Sequence, residues 1–290
     1  MTTLKLGTRG SLLARTQSQQ VADAITAATG VAVELVIITT KGDRITDRPL
    51  QQVGGKGLFT KEIEDAMIAG EVDFAVHSMK DMPTEGPPEL EVAVVPERVD
   101  PRDALIGSTL DALPQGAVVG TGSVRRQLQL RAIRPDLQLK GIRGNVDTRI
   151  AKQQAGEYDA IVLAMAGLTR LGKQAAATEA LAVDAMVPAV GQGALAVQSR
   201  RDDAATKEIL EAIHHEPTAI CVAAERAFMQ AVSGGCSAPA ACYARFDGDE
   251  VVARGVWAPS DDSAPRTLVL RSDALHVVAM GRDLARQLMI

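Results

Sequence analysis

The stretch Val72-Asp73-Phe74-Ala75-Val76-His77-Ser78-Met79-Lys80-Asp81-Met82-Pro83 combines a short apolar run with a cluster of reactive side chains. Residues 72–76 predict a buried strand, because apolar runs of this length bounded by turn residues are typical of sheet cores. Pro83 and the Pro-rich loop after it exclude continuation of regular structure. The hydroxyl, ammonium and carboxylate groups of Ser78, Lys80 and Asp81 therefore lie where a strand gives way to a loop.

A charged loop after a buried strand is typical of open α/β sheets, in which ligands bind beyond the carboxyl ends of the strands. An Asp in such a loop is more often a turn or cap residue than a catalyst, so Asp81 alone does not define a site. Composition favours the same fold class. Apolar residues make up 46% of the chain and aromatic residues 2%, which indicates an aliphatic core of helices and parallel strands.

Charge and cysteine content argue against several classes of protein. The net charge of −5 disfavours a dedicated nucleic-acid binder. We expect no export signal and no membrane partner, because no stretch approaches the roughly eighteen apolar residues of a membrane span. The three cysteines are an odd number, which predicts reduced thiols and a cytoplasmic location.

Helical and strand-like patterns alternate from Leu4 to Ala164, which predicts two α/β lobes. From about Glu216 the pattern changes to a helix, three strand-like segments and a final helix, which predicts a small α+β domain. Pro96–Asp103 and Pro188–Gly193 have the composition of hinges, so the chain is expected to leave the first lobe and return to it. The predicted domains are residues 1–95 with 194–214, residues 96–193 and residues 215–290.

Arginine is concentrated in one segment. Of the 31 basic residues 22 are Arg, and residues 121–149 carry a net charge of +5. Guanidinium groups pair bidentately with carboxylates and phosphates, so this concentration predicts a ligand with several acid groups. A solvated helix surface is the alternative, which we favour for Arg131 and Arg134. Arg125 and Arg126 instead follow Gly120-Thr121-Gly122-Ser123 at a predicted helix start, where backbone donors and the helix dipole favour anions.

Other arginines repeat this placement. Arg9 follows the first strand, Arg143 and Arg149 surround another strand-to-helix turn, and Arg170 follows the strand that ends at Ala164. We therefore expect an anion to be held between the two lobes. The Gly-x-Gly at residues 120–122 lacks the spacing of a dinucleotide or P-loop motif, so nucleotide binding is not supported.

Cys236 lies in the turn-forming segment Ser233–Pro239, which would leave its sulfur accessible. A nucleophile, a metal ligand, an attachment point and an inert loop thiol all remain open for this residue. Cys221 and Cys242 lie in apolar patterns and are predicted to be core residues, and His77 is predicted to be a packed strand residue. No His stands at ligand spacing from Cys236 and no Cys-x-x-Cys pair occurs, so we expect no metal.

Seven motifs follow one another along almost the whole chain. They are Leu6-Gly7-Thr8-Arg9-Gly10-Ser11, Gly55-Lys56-Gly57-Leu58-Phe59, residues 77–83, residues 120–126, Arg143-Gly144-Asn145-Val146-Asp147-Thr148-Arg149, Gly191-Gln192-Gly193-Ala194-Leu195 and Gly234-Gly235-Cys236-Ser237. In this combination the chain closely resembles the porphobilinogen deaminase family, also called hydroxymethylbilane synthases. The resemblance implies two lobes like those of periplasmic binding proteins, with mixed sheets flanked by helices, and a small C-terminal α+β domain that carries a covalent cofactor.

The resemblance also implies a monomeric transferase of tetrapyrrole, porphyrin and haem biosynthesis. Its reaction is the stepwise head-to-tail condensation of four porphobilinogen molecules on a dipyrromethane primer. Ammonia is lost at each addition, and hydrolysis then releases the linear tetrapyrrole hydroxymethylbilane.

The family pattern assigns roles to residues of this chain. Asp81 is implied as the catalytic residue, and Cys236 as the thioether anchor of the dipyrromethane. The implied cofactor contacts are Asp81, Ser78, Lys80, Thr121, Ser123, Arg125 and Arg126. The implied substrate contacts are Arg9, Ser11, Arg143, Arg149, Arg170 and Gln192, and Lys56 and Phe59 belong to a mobile loop near the site. Gly122 departs from many relatives, which carry Ser there, so one hydroxyl contact of the family is not expected.

These residue types suit the implied chemistry. Each pyrrole brings two carboxylates, so a growing chain needs a cationic cleft. A carboxylate at about 4 Å from the cation that forms as ammonia leaves would stabilise it by about 4 kcal/mol, roughly three orders of magnitude in rate. The alternative is a non-catalytic two-lobed anion-binding protein, because the same fold and arginines would suit that function.

Overall fold

The computed structural model describes residues 3–40, 60–232, 239–260 and 263–290. Its strands are β1 (Leu4–Thr8), β2 (Val33–Ile37), β3 (Phe74–Ser78), β4 (Leu90–Val94), β5 (Asp103–Ile106), β6 (Val118–Gly120), β7 (Gln138–Lys140), β8 (Ala160–Ala164), β9 (Glu179–Ala180), β10 (Leu195–Arg200), β11 (Ala240–Asp247), β12 (Glu250–Trp257) and β13 (Arg266–Ser272). Its α-helices are α1 (Leu12–Thr29), α2 (Lys61–Ile68), α3 (Val124–Ile133), α4 (Val146–Gln154), α5 (Met165–Arg170), α6 (Ala204–Leu210), α7 (Glu216–Ala231) and α8 (Val277–Met289).

The chain divides into two compact units. The first consists of residues 1–98 and 194–219, and the second of residues 99–193 and 220–290. The second unit thus contains both the predicted second lobe and nearly all of the segment predicted as a C-terminal domain. The boundaries of a three-domain division remain a prediction.

The first unit is built on a five-stranded mixed sheet in the order β2-β1-β3-β10-β4. Strands β2, β1 and β3 are parallel, and β10 is antiparallel to β3 and β4. Helix α1 covers this sheet, and the core contains the fully buried side chains of Leu6, Ile25 and Phe74. Ser11 caps the start of α1 by accepting a hydrogen bond from the Ala14 backbone N–H, and Gly30 ends the helix with a φ of 73°.

The second unit contains a sheet with the same pattern, in the order β7-β6-β8-β5-β9. Strands β7, β6 and β8 are parallel, and β5 is antiparallel to β8 and β9. Alternate residues of β8 enter two different core clusters, Ala160 with Val162 and Ile161 with Leu163. Both faces of this sheet are therefore buried, which explains the continuous apolar sequence of β8.

The C-terminal part of the second unit is a three-stranded antiparallel sheet, β11-β12-β13. One face packs against α7 and α8, through side chains that include Phe228 and Leu284. The other face contributes Ala241 and Val256 to a cluster with Leu128 of α3. This contact explains why the C-terminal sheet belongs to the second unit. The prediction of α/β architecture with mixed sheets and a C-terminal α+β segment is confirmed.

Two local predictions are wrong. The strand predicted at residues 72–76 is β3, which begins and ends two residues later. The side chain of Asp73, just before β3, accepts a hydrogen bond from the Lys5 backbone N–H. The hinge predicted at Pro96–Asp103 extends too far, because Asp103 is fully buried and begins β5. Because the residues just before Ala104 are polar, the sequence pattern did not indicate that a strand begins at Asp103.

Helix α8 approaches α7 closely at Gly281. A Cβ atom at this position would overlap the Ala224 carbonyl oxygen of α7 and contact the Ala227 Cβ at 3.1 Å. We predict that Gly281→Ala lowers the free energy of unfolding by about 1–3 kcal/mol, because overpacking forces the helices apart. Urea denaturation measures this change. Gly167→Ala is the matched control, since a Cβ there has nothing within 4 Å; equal stability of the two variants would contradict the prediction.

Candidate active site

The predicted site residues of the first unit lie at the carboxyl ends of two neighbouring strands. Strand β1 leads into Arg9 and Ser11, and β3 leads into a 3₁₀ turn at Met79–Asp81. Since β1 and β3 are parallel, with Leu6 opposite Phe74, these segments emerge at the same edge of the sheet. The fold thus brings the two motifs of this unit to one edge.

Asp81 ends the 3₁₀ turn and is exposed to solvent. The turn is anchored by Met79, whose side chain is buried and whose backbone N–H donates to the Ala194 carbonyl oxygen at 3.1 Å. Lys80 beside it is half-buried. Gln17 Nε2 donates to Ser78 Oγ at 2.9 Å, which orients the residue before the turn. Asp81 is therefore an accessible carboxylate on a supported turn.

The remaining predicted residues of this edge are Arg9 and Ser11. Arg9 is half-buried, and its positive charge contributes to the lowered pKa of His77. Ser11 is exposed, and its Oγ accepts from the Ala14 backbone N–H at 3.3 Å. The hydroxyl of Ser11 thus serves the start of α1 in this structure.

The second unit places its predicted residues in the same way. Its three parallel strands end at one edge of the sheet, and each leads into a segment that carries cationic side chains. The predicted residues in these segments are Thr121, Ser123, Arg125 and Arg126 after β6, Arg143 and Arg149 after β7, and Arg170 after β8. Thr121 is buried, and its Oγ1 accepts from the Ser123 backbone N–H at 3.2 Å, which braces the turn before α3.

Arg125 and Arg126 are buried in the first turn of α3, and both bind Asp103. Arg125 Nη1 donates to Asp103 Oδ2 at 2.7 Å, and Arg126 Nη2 and Nε donate to Oδ1 at 2.7 and 3.0 Å. The two guanidinium groups also donate to the carbonyl oxygens of Val187 and Val162, respectively. We name Asp103, Arg125 and Arg126 the buried triad.

The buried triad contains two positive charges and one negative charge. Burial raises the pKa of Asp103, but the charges of Arg125 and Arg126 and their hydrogen bonds outweigh it and hold the pKa well below its usual range. Asp103 is therefore ionised, and one positive charge remains uncompensated within the triad. Arg125 Nε is buried and has no hydrogen-bond partner among the described residues. Both observations favour a bound anion, because unpaired buried charges and donors are costly.

Arg149 adds another charge beside the triad. It is half-buried, and its Nε donates to the Gly144 carbonyl oxygen at 2.7 Å. Burial lowers its pKa, and the nearby positive charge of Arg126 lowers it further. Arg143, at the same turn, is exposed. Asn145 caps α4 by accepting from the Thr148 backbone N–H, so the turn that carries both arginines is ordered by its own sequence.

Arg170 lies at the end of α5 and is buried. Its Nη2 donates to the Gly193 carbonyl oxygen at 2.8 Å, whereas its Nε is buried without a partner in the described part of the chain. Burial lowers the pKa of Arg170 to about 10, so the guanidinium remains charged at neutral pH. Arg170 thus repeats the combination of buried charge and unpaired donor seen at Arg125.

Gln192, predicted to contact substrate, is buried and joins the triad. Its Nε2 donates to the Pro101 carbonyl oxygen at 2.6 Å and to Asp103 Oδ1 at 3.0 Å. Its contacts in this structure are therefore internal to the second unit. They tie the segment that enters this unit to the segment that leaves it.

Asp103 is the residue that the sequence interpretation missed. Its charge was assigned to a hinge, although Ala104, Leu105 and Ile106 follow it as an apolar run. A carboxylate at the start of a buried strand, in a chain with an excess of arginine, is a signal that would have identified it.

Three predicted residues cannot be placed, because Lys56, Phe59 and Cys236 lie outside the described residues. Cys221 and Cys242 are buried and form no disulfide, so their prediction as core thiols is confirmed. Within the described ranges, no group of three His, Cys, Asp or Glu side chains could hold a metal ion. No helix in those ranges has the length and apolar character needed to cross a membrane.

Together, the fold and the site define an α/β protein whose second sheet carries arginines suited to binding carboxylate groups of a ligand. The family model described as "Porphobilinogen deaminase, dipyromethane cofactor binding domain" matches residues 4–208. The model described as "Porphobilinogen deaminase, C-terminal domain" matches residues 219–289. The chain belongs to the porphobilinogen deaminase family.

Curated relatives match over nearly their whole length. The porphobilinogen deaminase of Roseiflexus sp. (strain RS-1) is 48% identical over 99% of this chain and 96% of its own. That of Exiguobacterium sp. (strain ATCC BAA-1283 / AT1b) is 46% identical over 98% of this chain and 94% of its own.

Solved structures that resemble the chain include two periplasmic proteins. The VFT2 domain of Bordetella pertussis BvgS is 15% identical with a TM-score of 0.43, covering 73% of this chain and 86% of that chain. A periplasmic substrate-binding protein of an ABC transporter from Coxiella burnetii is 14% identical with a TM-score of 0.43, covering 77% of this chain and 96% of that chain.

His77 makes the stability of the protein depend on pH. It is buried in β3, and burial lowers its pKa from 6.5 to about 4. The unfolded chain therefore binds more protons between these values, so the stability present above pH 6.5 is lost as the pH falls towards 4, by about 3 kcal/mol in total. We predict that His77→Gln flattens this part of the profile, measured by urea denaturation at several pH values.

A measurement at pH 8 provides the control for His77→Gln. There His77 is neutral in both the folded and the unfolded protein, so any difference between the variant and the wild type reports packing alone. A variant that retains the full loss of stability between pH 6.5 and 4 would show that His77 is not the responsible group.

Proposed function

We propose that this chain is a porphobilinogen deaminase, which joins four porphobilinogen molecules head to tail on a covalent dipyrromethane primer. Ammonia leaves at each addition, and hydrolysis releases hydroxymethylbilane. The buried triad, with one uncompensated positive charge and an unpaired Arg125 donor, carries this proposal in a chain that belongs to the family. A substrate with two carboxylates supplies the negative charge that such a group needs.

The donors of the second unit fit a dipyrromethane. Arg125 and Arg170 each present a buried Nε without a partner among the described residues, and carboxylates accept such N–H groups well. We propose that Cys236 anchors the group by a thioether bond and that its acid groups are held by Arg125 and Arg126. Ser78, Lys80, Thr121 and Ser123 are proposed to assist. When bound, the dipyrromethane would supply the pyrrole carbon to which the first substrate unit is joined.

Asp81 is proposed as the catalytic carboxylate. Loss of ammonia from the substrate leaves a cation, and a carboxylate about 4 Å away would stabilise it by about 4 kcal/mol. The arginines repel a cation, so they do not provide this stabilisation. The exposed position of Asp81 on its 3₁₀ turn makes the carboxylate accessible to a ligand. In its ionised form it would also accept hydrogen bonds from pyrrole N–H groups.

The other cationic side chains are proposed to hold substrate. Arg143 and Arg149 surround one exposed turn, and Arg170 carries a buried charge at the same edge of the sheet. Arg9, Ser11 and Gln192 complete the proposed substrate contacts, and Lys56 and Phe59 are proposed to belong to a loop near the site. Several cations are needed, since the growing chain gains two carboxylates with each pyrrole.

Membership of an enzyme family favours this activity over a non-catalytic anion-binding protein. A cytoplasmic location and a monomeric state remain predictions, as does the absence of nucleic-acid and membrane partners.

Intact mass measurement tests the covalent cofactor. We predict that freshly purified, active protein is heavier than the bare chain by a dipyrromethane and that Cys236→Ser removes the whole adduct. Cys221→Ser is the matched control, because Cys221 is buried in a helix and should leave the adduct unchanged. Active protein with the mass of the bare chain would refute the covalent cofactor.

Asp81→Asn separates cofactor attachment from turnover. Because the amide keeps the shape but loses the charge, the variant should retain the adduct and release ammonia about a thousandfold more slowly. Glu85→Gln removes another exposed carboxylate four residues along the chain and should leave turnover unchanged. A near-normal rate of ammonia release by Asp81→Asn would contradict the catalytic assignment.

A further inference from the structure

Asp103 holds both arginines of the triad with one carboxylate. Its Oδ2 accepts from Arg125, and its Oδ1 accepts from Arg126 and from Gln192. The carboxylate is completely buried, so none of these bonds competes with solvent. A group that makes this many charge-assisted bonds restricts the rotamers of both guanidinium groups.

The bonds leave a defined set of donors for a ligand. Arg125 Nη1 is used by Asp103 and by the Val187 carbonyl oxygen, and three nitrogens of Arg126 are used by Asp103 and Val162. Arg125 Nε has no partner among the described residues. The pair therefore presents one charge in a fixed orientation instead of two charges on free side chains.

Hydrogen bonds around the triad restrict the orientation of its side chains. Gln129, one turn after Arg125, donates from Nε2 to the Val187 carbonyl oxygen and accepts from the Val187 N–H. The same carbonyl oxygen accepts from Arg125. Helix α3, strand β5 and the segment at Val187 are thus joined by hydrogen bonds, with Arg125 bonded to both Asp103 and Val187.

We propose that Asp103 is a positioning residue for cofactor binding: it orients Arg125 and Arg126 and halves their charge, so that the pair receives one carboxylate of the dipyrromethane. This inference rests on the proposed function. Asp103 acts only through the two arginines and makes no contact with the ligand itself. Without the carboxylate, two guanidinium groups of like charge would repel each other and separate.

The test measures covalent loading of the full-length apoprotein. Protein produced in cells unable to make porphobilinogen is mixed with porphobilinogen, and the adduct is followed by intact mass over time. We expect Asp103→Asn to raise the porphobilinogen concentration for half-maximal loading rate by about tenfold or more, because it removes the shared partner of a buried charge group. The maximal loading rate should change by a smaller factor than the half-maximal porphobilinogen concentration.

Two further variants separate positioning from stability. Leu105 lies two residues after Asp103 in β5 and is also completely buried. The variant Leu105→Ala should therefore lower the melting temperature without shifting the half-maximal porphobilinogen concentration. Asp103→Glu keeps the charge at the expense of packing, and it should load at a lower concentration than Asp103→Asn. A purely structural role predicts the reverse order, since Asn is the better fit in volume.

The outcomes are distinct. An unchanged half-maximal concentration in Asp103→Asn, or an equal shift in Leu105→Ala, overturns the positioning role. If Asp103→Asn does not fold, a folded Asp103→Glu that fails to load overturns it. Wild-type protein that gains no adduct refutes the proposed function instead, which keeps the two failures separate.

Discussion

The shared carboxylate of Asp103 is the interaction on which the arginine-rich edge of the second sheet depends. Desolvation of three ionised groups is unfavourable, and apolar replacements of buried ion pairs are often at least as stable. Stability alone therefore does not explain the triad. The bonds from Arg125 and Arg126 to Asp103 also restrict both guanidinium groups and leave one positive charge uncompensated.

The sheet pattern decides where the remaining charges lie. In each unit, the carboxyl ends of the parallel strands lie at one edge of the sheet, and an antiparallel strand pairs with the last of them. In the second unit, all of the predicted ligand-binding arginines follow parallel strands. Asp81 and Arg9 follow parallel strands of the first unit, whereas the other predicted arginines belong to the second unit.

Helix α3 links the arginines to the C-terminal sheet. Its first turn carries Arg125 and Arg126, and the next residues supply Leu128 to a cluster with Ala241 and Val256. Strand β11 and most of α7 belong to the same compact unit as α3. The proposed carboxylate contacts and the C-terminal sheet thus belong to one compact unit.

Local sequence determined most elements and the family, since capping residues such as Ser11, the glycine at residue 30 and the apolar run of β8 act over a few residues. The seven motifs identified the set of candidate site residues for the same reason. Only the tertiary structure decided that Asp103 begins a buried strand and pairs with two arginines more than twenty residues away. Charge and composition describe a residue without its partners, whereas burial and hydrogen bonding depend on which distant segments the folded sheet brings together.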